Sequence, residues 1–377
     1  MERLIVKNFG PLKDVDIELN KINLFIGENG SGKSVLAKLI TIFTSLNEFS
    51  EEKILKKINE YKINFIREES IIEFFSNDTL LLKLQKGNIE LDLDLEEAVL
   101  ENEKVKEPWE ELSKKIEKIE TESKNLNLLF ELFKGMQSYQ ESLLSQYIPA
   151  ERNLISLFNK SLTTLLLAEV PLPKFLLAFS SEFEKAGNDL KELKFLNVKY
   201  VNGDGLDRHK IYFNDEDYLS LEHSSSGIQS SLPLYLTVTY LTQKHRNIII
   251  EEPEQNLFPR AQKETIQYII EQVSDRNNLF MMTHSPYVLS TLNILMMAYR
   301  AGSLGEEAKK EVSELFTVKQ WINPDNFSAY YLENGTARNI KGRTGLISDN
   351  EIDEISDDIQ FEFEELLTIY REHKNDK

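Results

Sequence analysis

Eight consecutive residues, Gly27-Glu28-Asn29-Gly30-Ser31-Gly32-Lys33-Ser34, constrain this chain more than any other stretch of it. An apolar run, Ile22 to Ile26, precedes them, and the helix-like segment VLAKLITIF follows. Strand, glycine-rich turn and helix in that order, with the pattern G-x-x-x-x-G-K-[ST], make a loop whose backbone N–H groups turn inward around phosphate oxygens. The helix N-terminus adds partial positive charge at the same place. Lys33 is placed to neutralise the outer phosphates of a nucleotide and Ser34 to offer a hydroxyl to Mg²⁺, while Asn29, Gly30, Ser31 and Gly32 form the cradle. The spacing is not G-x-G-x-x-G, which disfavours a dinucleotide fold.

A phosphate loop needs a carboxylate at the end of a neighbouring strand, to hold Mg²⁺ through water and to orient an attacking water. Asn247-Ile248-Ile249-Ile250-Glu251-Glu252-Pro253-Glu254 delivers two adjacent acids at the carboxyl end of an apolar strand, the ligand-binding edge of an open α/β sheet. Successive side chains on a strand point opposite ways, so Glu251 is assigned to the metal and Glu252 to the water. His284, in FMMTHSPYVLS, follows another apolar strand, where a side chain reaches a terminal phosphate. The other histidines, 209, 223, 245 and 373, show no metal-ligand spacing and read as structural.

Composition removes several alternatives. With no cysteine among 377 residues, disulfide scaffolds, thiol nucleophiles and Cys-ligated metals are excluded. The balance of 44 basic against 63 acidic residues, net −19, argues against a whole-surface polyanion binder. From Leu346 to Lys377 eleven acids stand against three bases, which reads as a solvated acidic face. The most apolar stretch, Leu162 to Phe179, is broken by Glu169, Pro171, Pro173 and Lys174, too soon to span a bilayer. The amino terminus lacks a signal-peptide core, and a cytoplasmic location is expected.

Along the chain, strands are expected over Arg3–Phe9, Asp14–Leu19 and Ile22–Ile26, with a Gly10-Pro11 turn. A hairpin turning at Lys86-Gly87-Asn88 follows. From Glu96 to Gln146, Val105, Trp109, Leu112, Ile116 and Ile119 keep a mostly seven-residue rhythm, as a packed helix or a short coiled coil would. Beyond a short strand, Gln146 to Ala150, and strands from Phe195 to Tyr212, helix and strand alternate through Met282, indicating a parallel sheet with crossover helices. Four segments result: 1–50 with the phosphate loop, 51–145 with the hairpin and helical insertion, 146–300 completing the core, and 301–377 with C-terminal helices, strands and the acidic tail.

Taken together, KNFGPLKDVDIELNKINLFIGENGSGKS, SSSGIQSSLPLYL, IIIEEPEQNLFP and THSPYVLS resemble, in order, the motifs of ATP-binding-cassette (ABC) ATPases of the SMC, RecF and OLD type, also described as AAA-like. The resemblance covers most of the chain. It implies an α/β ABC-ATPase head, a P-loop NTPase with a mixed and parallel sheet plus a helical insertion, with ATP and Mg²⁺ as cofactors. It also implies roles that spacing does not show. IIIEEPEQNLFP becomes a Walker B strand with its D-loop, and His284 the switch histidine. Ser226 and Gly227 stand at the serine and first glycine of an L-S-G-G-Q signature, gripping the terminal phosphate bound to a second subunit. The site is then complete only in a head-to-tail, ATP-dependent homodimer.

The chain departs from the pattern at Ser225 for Leu, Ile228 for the second Gly, Glu251 for Asp, and Phe258 for the D-loop Asp or His. These bear on hydrolysis rate rather than nucleotide binding. The Q-loop glutamine is not recognisable; QYIPAERN lies in its place, leaving Glu151 and Arg152 for that region against a plain structural ion pair. Lys7-Asn8-Phe9 resembles the family's adenine-side edge strand, although Phe9 reads rather as core. Arg338, Lys341 and Arg343 read as a solvated loop or a polyanion contact. The function implied is a slow ATPase that regulates a separate effector, such as a nuclease or toxin, in bacterial anti-phage defence or a toxin–antitoxin system. The alternatives are a RecF- or SMC-like repair ATPase that holds nucleic acid and the ATPase subunit of a transporter. No direct membrane contact is expected.

Overall fold

The structure is a computed structural model that describes residues 2–45, 50–91, 144–158, 161–203, 208–244, 246–347 and 361–367. The heptad-like insertion and most of the acidic tail lie outside the described residues. Strands β1 (Glu2–Phe9), β2 (Leu12–Leu19) and β3 (Ile22–Ile26) lead into helix α1 (Lys33–Phe43). Helix α2 (Glu51–Glu60) and strands β4 (Ile71–Ser76), β5 (Thr79–Gln85) and β6 (Asn88–Leu91) follow. After β7 (Ser145–Ile148) come α3 (Asn153–Phe158), α4 (Leu162–Leu167) and α5 (Lys174–Asp189). Next are β8 (Glu192–Phe195), β9 (Val198–Asn202), β10 (His209–Tyr212) and β11 (Tyr218–Ser220), then α6 (Ser226–Gln243) and β12 (Asn247–Glu251). The remainder is α7 (Pro259–Gln272), β13 (Leu279–Thr283), α8 (Pro286–Gly302), α9 (Glu306–Leu315), β14 (Phe327–Glu333) and β15 (Thr336–Asn339).

Eleven described strands form one sheet in the order β6-β5-β4-β1-β2-β15-β14-β3-β13-β12-β7. One flank is antiparallel: β1 pairs with β2 and β4, and β5 pairs with β4 and β6. Lys86 and Gly87 both have positive φ, 53° and 78°, the two-residue hairpin geometry whose twist suits the flanking strands. The other flank is parallel, β14 with β3, β3 with β13, β13 with β12, and β12 with β7. The place of β14 in the sheet is not evident from the sequence. The strand inserts beside β3 and joins the two flanks, and FSAYYLE is buried over its first six residues.

Burial follows strand chemistry. In β1 and β2 the inward set Leu4, Val6, Phe9, Val15, Ile17 and Leu19 alternates with exposed polar residues. Every residue of β3, β12 and β13 is buried, as a parallel strand covered on both faces requires. Each fully buried isoleucine of β12 contributes about 1.5–3 kcal/mol of transfer free energy. Phe9 is wholly buried and meets Phe65 edge-on at 5.9 Å, so it belongs to the core. Strands β8 to β11 form a separate four-stranded antiparallel sheet.

Candidate functional site

The carboxyl ends of β3, β12 and β13 lie side by side and carry the phosphate loop, the acidic pair and His284. Gly27 must be glycine for a packing reason: φ is +150°, and a Cβ there would lie 2.2 Å from the Leu332 carbonyl oxygen of β14. Helix α1 starts at Lys33, with Gly32 preceding it in a left-handed conformation, φ +102°. Lys33 is buried, and its ammonium donates to the carbonyls of Gly27 (2.5 Å) and Glu28 (2.8 Å) and to Ser31 Oγ (3.4 Å). Burial lowers its pKa against the attraction of Glu252, Glu251, Glu254 and Glu28.

Glu251 ends β12 and is buried. Burial pushes its carboxyl pKa up, while hydrogen bonds from Tyr147 and Ser34 and the charge of Lys38 oppose the rise. Its Oε1 is buried without a hydrogen-bond partner. A cation against that oxygen would satisfy the orphaned lone pairs and offset the burial, so the carboxylate together with the Ser34 hydroxyl suits a hard, oxygen-preferring ion such as Mg²⁺.

Glu252 has φ +44°, a left-handed conformation unusual for a residue with a Cβ. Its amide donates to the Met282 carbonyl at 2.8 Å. His284 Nε2 meets Glu252 Oε1 at 3.0 Å and Nδ1 meets the Gly27 carbonyl at 3.2 Å. Both partners are acceptors, so both ring nitrogens carry a proton when both bonds form, which is the imidazolium. Consistently, the bond to Glu252 holds the His284 pKa above its ordinary value, and the bond from His284 holds that of Glu252 below its own.

Asn29, Gly30, Gly32, Lys33, Ser34, Glu251, Glu252 and His284 all line one cavity of about 220 Å³. Ser31 lines an adjoining cavity of about 350 Å³ between the loop and the β14–β15 turn. Ser226 and Gly227 line neither. They open α6, with Ser226 exposed and Gly227 against the segment Asn256–Leu257. A larger hollow of about 790 Å³ on the four-stranded sheet contains none of these residues.

Four supporting residues escaped sequence reasoning in whole or part. Glu254, three positions after Glu251, accepts from Thr283 Oγ1 (2.6 Å) and the His284 amide (3.0 Å), fixing the loop that carries His284. Tyr147 on β7 is buried against Tyr61 and Phe175, and Lys38 of α1 places its ammonium 4.6 Å from the Phe175 ring centroid. Arg152 makes no ion pair among the described residues. Its guanidinium donates instead to four carbonyl oxygens. Nor do Arg338, Lys341 and Arg343 form a free basic cluster. The Lys341 ammonium donates to the carbonyls of Pro324 and Phe327, and the Arg338 guanidinium lies over the Tyr331 ring at 5.5 Å.

A strand-borne phosphate loop beside a strand-end acid pair defines a nucleotide-phosphate site of the P-loop class. Residues 1–289 match the AAA ATPase domain family, and the chain belongs to that family. It is accordingly an ATPase. No curated protein matches it in sequence. Among solved structures it is similar to the Smc head domain with an extended coiled coil bound to the C-terminal domain of ScpA, from Pyrococcus furiosus (12% identity, 90% of this chain and 96% of that one, TM-score 0.35). It is also similar to the SMC head domain from Thermotoga maritima (12%, 90% and 97%, 0.36). A third similar structure is an ATP-binding cassette of an ABC transporter in its ADP conformation (13%, 94% and 98%, 0.37). No described helix is long and apolar enough to cross a membrane.

Proposed function

We propose that the chain hydrolyses ATP at the ends of β3, β12 and β13 and works as an ATP-gated head-to-tail dimer that regulates a separate effector protein. One observation carries the reading: a single cavity brings together Lys33, Ser34, Glu251, Glu252 and His284, which lie on three strand ends far apart in sequence.

Lys33 and the inward N–H groups of residues 29–34 take the phosphate charge, and the Lys33 ammonium exchanges its loop carbonyls for phosphate oxygens. Ser34 and Glu251 would hold Mg²⁺, which would supply neutralisation of the phosphate charge. Glu252 orients the attacking water and accepts its proton, and His284, steadied by Glu254, keeps that carboxylate aimed across the cavity. Ser226 is exposed at the start of α6, and neither it nor Gly227 lines its own chain's cavity, which supports their serving a second copy's nucleotide. The effector, and with it an anti-phage role, follows from the resemblance of the motifs to OLD-type proteins.

Lys33→Ala tests the site directly. Isothermal calorimetry should show ATP binding weakened by at least about 100-fold, because one buried cation and its pre-aimed N–H groups oppose the triphosphate charge. Equal affinity in wild type and variant would remove the site from the account.

A further inference from the structure

Arg152 is among the largest wholly buried side chains of the described residues. Every hydrogen bond it makes among the described residues ends on a backbone carbonyl. Nη1 donates to Pro149 (3.2 Å) and Glu251 (2.7 Å), Nη2 to Glu252 (2.6 Å), and Nε to Ser230 (3.0 Å). The fork thus joins three pieces of chain: the turn after β7, the end of β12, and the second turn of α6. Burial draws the Arg152 pKa down to about 10 despite the pull of Glu254, Glu252 and Glu251, which leaves it cationic at neutral pH.

The α6 end of this junction has a sequence cause. Pro233 lies inside the helix and has no N–H to offer the Gln229 carbonyl one turn back. Ser156 Oγ of α3 takes that carbonyl at 2.6 Å. On the next residue, the Ser230 carbonyl receives Arg152, and its hydroxyl donates to Gln255 Oε1 at 3.2 Å. The turn of α6 just past Ser226 and Gly227 is therefore fastened to the segment that carries Glu252.

We infer that Arg152 is a positioning residue for hydrolysis, coupling the orientation of α6 to the left-handed backbone of Glu252. The inference rests on Glu252 being the water-orienting acid. Two of the four carbonyls that Arg152 grips, those of Glu251 and Glu252, bracket the φ of +44° at Glu252. A displacement of α6 on contact with a second subunit would be felt at the acid through one rigid plane. Lysine cannot replace it, because a single ammonium does not span carbonyls on three segments.

The test compares wild type, Arg152→Lys, Arg152→Ala and Glu252→Gln for ATP affinity, turnover at saturating ATP and thermal melting. Turnover should fall by about 100-fold in Arg152→Ala and about 10-fold or more in Arg152→Lys, with ATP affinity held within about 3-fold. Guanidinium at tens of millimolar should restore part of the turnover of Arg152→Ala and none of that of Glu252→Gln. Wild-type turnover in Arg152→Lys would overturn the inference, and so would affinity falling in step with turnover. A folded Arg152→Ala that ignores guanidinium would overturn it as well. If Arg152→Ala does not fold, the lysine variant decides. Wild-type turnover in Glu252→Gln would instead remove the reading beneath.

Discussion

Glu252 and His284 titrate in opposite senses, and their bond sets a pH window. The His284 pKa is raised from 6.5, so its contribution to stability is complete below pH 6.5 and is lost as pH rises through the folded value. That of Glu252 is lowered from 4.5, so its contribution is complete above pH 4.5 and is lost as pH falls through the folded value. The difference in melting temperature between wild type and His284→Gln should therefore be widest between pH 4.5 and 6.5 and narrow on both sides. Both side chains are about a third exposed, so the effect is modest; a difference independent of pH would dissolve the pairing. That Lys33, Ser34, Glu251, Glu252 and His284 share one cavity was legible in the sequence, because the proposed phosphate and water chemistry calls for these residue types at strand ends. Glu254, Tyr147 and Lys38 were not, since each acts through a contact between segments distant in sequence. Nor does anything in QYIPAERN distinguish an ion pair of Arg152 from a clamp on carbonyls.

At the scale of elements, α6 is the piece with two faces of work. Its body is buried from Ile228 to Thr242, while its first residue, Ser226, is exposed. Ser226→Arg puts a bulky cation at the start of the helix without entering the cavity of its own chain. ATP affinity should stay within about 2-fold of wild type, while hydrolysis drops by about 10-fold or more and the ATP-dependent gain in mass disappears. Normal turnover by a monomeric variant would contradict a composite site. The strands of the N-terminal meander and the lysine–glycine hairpin were readable from alternation and turn chemistry. The insertion of β14 beside β3 was not. A buried run such as FSAYYLE specifies a strand, whereas its neighbours are chosen by long-range packing, here the close approach of the Leu332 carbonyl to Gly27.

At the scale of the whole molecule, one mixed sheet spans the chain from β1 to β15, and its parallel half brings the strand ends together. The chain's excess of nineteen negative charges disfavours self-association at low salt, so in the proposed dimer bound nucleotide bridging two copies has to supply the driving force. Phosphate release per chain, measured for wild type and Glu252→Gln across a range of chain concentrations at saturating Mg²⁺ and ATP, tests this account most directly. Wild-type turnover per chain should rise with concentration and then level off, and Glu252→Gln should lie about 100-fold or more below it throughout, since a positioned acid–base group is worth that factor. Turnover independent of concentration, with Glu252→Gln as fast as wild type, would contradict both the composite site and the acid assigned to it.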